Sequence, residues 1–367
     1  MEYIMNFVSN ILTSVSKGQA SVDGVVGIDI GSSSMKVVEL QQRNGVITLA
    51  TYGEVQLGPY SQQQIGESVV LNTKQEQEAL VDIIRESAVQ SRSAVFAMPL
   101  SSSFVTNVTI ESDEDVDIAS LVRVEARKVI PVSLSEVTLD WAEVDVNKTE
   151  AGEDETNYRN ILIAAIQNSA LERFKILMQF AGFTQPPTEI ECFSLIRGLY
   201  SSDEPNIAVI DIGATSSKLY IANKGLLMRM YRIRAGGAVA TKQISKALGI
   251  SFQAAEEIKF AADKNADTFF DMKRAHDKSY ERVFREFNQV LREYEKKTGV
   301  TVSTLYLAGG GALFPGMEKY LKEILGREVV MVNPFSKVAY PAFMEDTMHE
   351  IGPSFAVALG AAMRVFE

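Results

Sequence analysis

The segment Val25-Val26-Gly27-Ile28-Asp29-Ile30-Gly31-Ser32-Ser33-Ser34-Met35-Lys36 returns 182 residues later as Ile207-Ala208-Val209-Ile210-Asp211-Ile212-Gly213-Ala214-Thr215-Ser216-Ser217-Lys218, with Ile, Asp, Ile, Gly, Ser and Lys in register. Self-similarity at about half of a 367-residue chain predicts two halves of one architecture. Each copy reads as an apolar strand, a tight polar turn and a second strand, Val37 to Leu40 in the first and Leu219 to Ala222 in the second. These are hairpins. A nucleotide-binding loop of the strand-to-helix kind would instead end in Gly-Lys-Ser/Thr and open a helix.

The turns carry the chemistry. Gly31, Ser32, Ser33 and Ser34 in one copy, and Gly213, Ala214, Thr215 and Ser216 in the other, let backbone N–H groups approach an anion while the hydroxyls add donors. Asp29 and Asp211 end their strands beside these turns, where carboxylates hold magnesium through water and neutralise phosphate. A single Asp-Ile-Gly turn is more often a plain hairpin, because Gly and Ser are good turn residues; two copies in register favour one phosphate tail gripped from both sides. Lys36 and Lys218 admit two readings, a lysine near phosphate or one on an outward strand face. A third element, the strand Thr304 to Ala308 running into Gly309-Gly310-Gly311 and then the helix Gly316 to Leu325, leaves room for a flat base against the backbone, or is an ordinary strand-to-helix turn.

Composition narrows the field. A net charge of −11 and a pI near 5.0 disfavour a nucleic-acid partner. No apolar run is long enough to span a bilayer, and the start lacks the features of a signal peptide, so the expectation is a cytoplasmic protein. The one cysteine, Cys192, lies in an apolar run and reads as core, and His276, in a charged stretch, reads as solvated. Residues 1–16 place Ile4, Phe7, Val8, Ile11, Leu12 and Val15 on one stripe of a short helix without a basic face. Helices are expected over Glu76 to Gln90, from Ser112 to Pro131 with Asp113, Glu114 and Asp115 in the first turn, over Ser169 to Gly182, and from Cys192 to Tyr200. Ala94 to Met98, Phe104 to Ile110, Val137 to Val146 and Asn160 to Gln167 read as strands, with a polar tip at Asn147 to Thr156. Residues 223–300 read as largely helical.

These residues resemble the superfamily of actin, sugar kinases and heat-shock-protein ATPases. Gly27 to Leu40 looks like its first phosphate motif, Ala208 to Ala222 its second, and Leu305 to Gly316, with Leu313 inside it, its adenosine motif. Over residues 25–366 the chain resembles FtsA and, more strongly, the PilM family of the type IV pilus machinery. That likeness rests on Gly27 to Leu40, Val124-Glu125-Ala126 through Ile130-Pro131, Glu136-Val137 with Leu139-Asp140, Gly236-Gly237 followed by Thr241, and Ala255-Glu256-Glu257-Ile258-Lys259.

The resemblance implies an α/β, two-lobed actin-like ATPase fold, ribonuclease H-like, with an FtsA-like inserted subdomain. After an N-terminal segment at 1–24, the implied units are a first phosphate subdomain at 25–102 and 186–205, the insert at 103–185, a second phosphate and adenosine subdomain at 206–240 and 301–367, and a helical subdomain at 241–300. It implies ATP and Mg2+ as ligands, with Gly236, Gly237, Glu256 and Lys259 near ribose and adenine; the last two also fit a plain i, i+3 ion pair. Glu191 is implied as the residue orienting an attacking water, Glu189 being its rival, and Phe355 to Met363 as a hinge helix. The implied role is an ATP-binding scaffold with at most weak turnover on the pilus assembly platform. Its partner would be the cytoplasmic N-terminal peptide of a PilN-type inner-membrane protein, held between the first phosphate subdomain and the insert. Other platform proteins and self-association are further partners, and membrane contact is indirect, because the tail helix of FtsA has no counterpart before Glu367. A small-molecule kinase and a filament-forming cytoskeletal protein are the alternatives.

Overall fold

In a computed structural model, which describes residues 24–111, 117–144, 158–183, 188–201, 204, 206–261, 267–302 and 304–366, the first copy of the repeat is a hairpin of β1 (Val25–Ile30) and β2 (Ser34–Arg43). Strand β2 turns back through Asn44 and Gly45, with φ of 53° and 79°, into β3 (Val46–Gln56); two left-handed residues make the tight connection whose twist suits paired strands. Helix α1 (Thr73–Glu86) opens on a capping box in which Asn72 and Gln75 exchange side-chain and backbone bonds. Strand β4 (Ala94–Met98) is buried throughout and runs parallel to β1.

The chain then builds a separate three-stranded sheet from β5 (Ser103–Glu111), β6 (Val137–Glu143) and β7 (Tyr158–Gln167), in the order β5-β7-β6. Alternation along β7 explains its two faces. Ile161, Ile163 and Ala165 pack under α2 (Ile118–Val129), whereas Leu162, Ala164 and Ile166 join the main core with Phe174 and Leu177 of α3 (Asn168–Phe180). Strand β8 (Thr188–Ile190) returns beside β4 and runs into α4 (Glu191–Leu199).

The second copy repeats the plan: β9 (Asn206–Ile212), β10 (Ser217–Asn223), a Lys224-Gly225 turn with φ of 49° and 79°, and β11 (Leu226–Ile233). Helices α5 (Gly237–Leu248), α6 (Phe252–Ala261) and α7 (Asp267–Thr298) follow, then β12 (Thr304–Ala308), α8 (Met317–Leu325), β13 (Glu328–Met331) and α9 (Glu345–Met363). The sheets read β3-β2-β1-β4-β8 and β11-β10-β9-β12-β13. Even their irregularities match: the ladder of β2 and β3 shifts register between Glu39 and Leu40, and that of β10 and β11 between Ile221 and Ala222, the same 182-residue offset.

Helices α4 and α9, each following the last strand of its sheet, cross backbone to backbone. A Cβ on Gly360 would stand 1.8 Å from the Ser194 carbonyl oxygen, and one on Gly27 of β1 would stand 1.9 Å from that of Ala358. Ala356, Ala358, Ala361 and Ala362 are all buried there.

Residues 223–300 are largely helical behind the strand β11, which is paired to β10 along its length. Other expectations are corrected. The helix that was to begin at Ser112 begins at Ile118 behind an Asp117 cap; Asp113, Glu114 and Asp115, like residues 1–16 and the tip at 147–156, lie outside the described residues. Helix α9 starts ten residues before Phe355 and runs through Pro353. His276 is not solvated: it is 1% exposed and stacks on Phe314 at 3.4 Å between ring centroids. The charges around it belong to neighbouring positions on α7, while His276, Tyr280, Phe284, Phe287 and Leu291 follow the helical spacing that faces the core. Burial lowers its pKa against the pull of Asp277, so the ring is neutral at pH 7. Cys192 is buried, and desolvation pushes its thiol well above the ordinary range.

Replacing Gly360 by Ala favours a helix intrinsically, yet should destabilise the fold by ~2 kcal/mol or more through overpacking. Gly310→Ala, where a Cβ meets nothing within 4 Å, should be neutral. Chemical denaturation of both variants measures the contrast.

Candidate functional site

The two repeat turns meet across a cleft. In each hairpin Asp pairs with Lys across the ladder, Asp29 with Lys36 and Asp211 with Lys218. Each turn closes in the same way, Gly31 N–H to the Ser34 carbonyl at 2.9 Å and Gly213 N–H to the Ser216 carbonyl at 3.0 Å. The hydroxyls of Ser32 and Thr215 then come within 3.2 Å of each other. Between and beside the turns lies a cavity of about 660 Å³, in the size range of ligand sites.

Nearly every residue singled out from the sequence lines this cavity: Asp29, Gly31, Ser32, Ser33, Ser34 and Lys36 on one side, and Asp211, Gly213, Ala214, Thr215, Ser216 and Lys218 on the other. Glu191, Gly237, Glu256, Lys259, Gly309, Gly310, Gly311 and Leu313 complete the set. Gly236 is the exception. A Cβ there would lie 2.3 Å from the Gly213 carbonyl oxygen, and the next residues tie α5 to the second turn through Gly237 N–H to Gly213 O and Ala238 N–H to Ala214 O. Its smallness serves packing behind the turn.

Neither lysine faces outward. Lys36 bonds Ser34 at 2.6 Å and pairs with Glu54 on β3 at 2.9 Å. Lys218 reaches Glu191 at 2.9 Å and Asp211 at 3.1 Å. Burial alone disfavours its charge, but the two carboxylates outweigh that and raise its pKa above the ordinary lysine value. The two aspartates therefore differ. Asp211 carries a lysine, whereas Asp29 makes no ion pair within 4 Å among the described residues, and desolvation, only partly offset by Lys36, lifts it to about 6.

The two glutamates also separate. Glu189 is buried, clamped by Arg197 at 2.5 and 2.6 Å and bonded by Ser194 at 2.7 Å; burial would raise its pKa, but Arg197 and Arg364 hold it below the ordinary range. Glu191 opens α4, accepts from the Leu100 N–H at 2.9 Å and faces the cavity.

At the other end of the cleft Glu256 and Lys259 form an ion pair at 2.6 Å, and both bond Thr241. The pair is no solvated surface contact: Lys259 is 4% exposed, and desolvation lowers its pKa against the pull of Glu256. The glycine run packs closely on one side and is open on the other. A Cβ on Gly309 or Gly311 would strike Asp211 or Ile212, while Gly310 faces open space, and Gly309 N–H bonds the Pro353 carbonyl of α9.

Two features had no flag in the sequence. Residues 66–71 form a strap over the cleft: Val69 N–H bonds the Ser32 carbonyl, and Gly66 lies so close to Glu256 that a Cβ would come within 2.5 Å of its carboxyl carbon. No repeat or motif marks that stretch. Arg232 of β11 also lines the cavity; only its register opposite Lys218 points to it.

Comparison with known proteins agrees with this architecture. A solved PilM-PilN type IV pilus biogenesis complex contains a chain 24% identical, with a TM-score of 0.78 over 95% of this chain and 99% of that one. The ethanolamine utilization protein EutJ from Carboxydothermus hydrogenoformans (16% identity, TM-score 0.56, 99% and 97% covered) and MreB5 of Spiroplasma citri bound to ADP (12%, 0.54, 95% and 97%) share the fold. Two similar lobes around a cleft, with an inserted subdomain, define the actin-like ATPase fold. The family described as type IV pilus assembly protein PilM matches residues 27–366, and the chain belongs to that family.

Because the fold favours the protonated form of Asp29, this residue opposes folding above about pH 6, and the penalty fades as pH falls toward the ordinary 3.8. Asp29→Asn should therefore stabilise the ligand-free protein by ~1–3 kcal/mol at pH 8, with the gain vanishing near pH 4. Denaturation at a series of pH values checks the slope.

Proposed function

We propose that the cleft binds ATP with magnesium and that the filled protein is a scaffold of the type IV pilus assembly platform. The observation that carries this is the 3.2 Å approach of Ser32 and Thr215, which joins two copies of one turn around one cavity. Turn amides and hydroxyls suit a phosphate tail, and the glycine cradle suits a flat base. Glu256 and Lys259, which line the same cavity, would approach ribose and adenine. Asp29, a desolvated carboxylate without an ion pair within 4 Å among the described residues, and Asp211 fit a magnesium ion held through water. Magnesium would neutralise phosphate charge. Glu191 would position a water, although its carboxylate is already engaged by the Leu100 N–H and by Lys218.

The partner of this reading is the cytoplasmic N-terminal peptide of a PilN-type inner-membrane protein. Family membership and the PilM-PilN complex among similar structures support it. So does the reach of the cavity to Pro99, Ser101, Arg173 and Phe174 at the root of the inserted sheet. The protein would then work on the cytoplasmic face of the membrane through that partner; no described helix is long and apolar enough to cross a bilayer.

Gly310→Val should leave the ligand-free melting temperature within about 2 °C of wild type and abolish the stabilisation given by Mg-ATP, since the new side chain enters the open cradle. Calorimetric titration with the synthetic N-terminal peptide of the PilN-type protein from the same organism should show saturable binding that a scrambled peptide lacks. Undetectable peptide binding with and without Mg-ATP would refute the scaffold.

A further inference from the structure

Arg232 stands directly opposite Lys218 in the ladder of β10 and β11, on the same face of the sheet, and lines the same cavity. The matching place in the first half, opposite Lys36, is Glu54. There the acid takes the lysine at 2.9 Å. In the second half an arginine occupies the place, Lys218 turns to Asp211 and Glu191, and a second cation is left over.

That cation has no hydrogen bond or ion pair among the described residues, and its Nε is buried without a partner. Other part-buried arginines have a carboxylate on their terminal nitrogens, Arg197 from Glu189 and Arg327 from Glu295, although the Nε of Arg327 is likewise unpartnered. An unsatisfied guanidinium group is costly, and its planar fork matches a phosphate better than any neutral group. Sheet order says which part of a ligand it meets. The glycine cradle follows β12, the phosphate turn lies between β9 and β10, and Arg232 is on β11, so base, phosphates and guanidinium succeed one another across β12-β9-β10-β11.

We propose that Arg232 is a specificity-determining residue that receives the terminal phosphate, so that the cleft distinguishes a nucleoside triphosphate from a diphosphate. The inference rests on the nucleotide reading above.

The test is calorimetry with magnesium and either ADP or the β,γ-imido analogue of ATP, on wild type, Arg232→Gln and Arg232→Lys. Wild type should prefer the triphosphate. Arg232→Gln should weaken the analogue by about tenfold or more and leave ADP within about twofold, and Arg232→Lys, with the charge but not the fork, should fall between. Should the Gln variant fail to fold, the Lys variant must show the same selective loss at smaller size. Equal losses for both nucleotides, no loss for either, or no wild-type preference would overturn the role of Arg232 alone. A wild type that binds neither nucleotide would overturn the nucleotide reading with it.

Discussion

Two helices and a strand that touch without side chains between them set the geometry of the whole molecule. At Gly360 against Ser194, and at Gly27 against Ala358, van der Waals contact between backbones fixes how far apart α4, α9 and β1 lie. Since each helix follows the last strand of its own sheet, that distance is also the spacing of the halves. A looser crossing, padded by leucines, would carry the two repeat turns apart, and the hydroxyls of Ser32 and Thr215 could not face each other across one cleft.

Onto this symmetric frame an asymmetric charge pattern is laid. One lysine is committed to the third strand of its own sheet, through Glu54; the other crosses the cleft to Glu191 as well as joining Asp211. The result is one aspartate with a lysine in ion-pair contact and one without. The polar network of Thr241, Glu256 and Lys259 closes the far end, where the strap from the first half meets it at Gly66.

The repeat made the topology legible, because a hairpin with Asp and Lys in register also fixes which strands neighbour it, down to the matched register shifts at Leu40 and Ala222. Turn residues were legible as lining of one cleft only because there are two copies, since Gly and Ser in a single turn serve many ordinary hairpins. What could not be read were positions whose role depends on a neighbour distant in sequence. His276 sits among charges along the chain but against Phe314 in space. Gly236 looks like a ligand glycine until the Gly213 carbonyl is found against it, and the strap at 66–71 has no periodicity or repeat to announce it. Glu189 and Glu191 were indistinguishable at two residues apart, since only the clamp of Arg197 tells them apart.

Glu191 is both the first residue of a crossing helix and the partner of a lysine in the opposite half. Swinging the halves apart would draw its carboxylate from the ammonium of Lys218 in a poorly hydrated interior, leaving it only the Leu100 amide. Separated charges are most penalised at gaps too wide for contact and too narrow for water to enter. Contact between the halves thus depends on an ion pair that any separation would break before water could replace it.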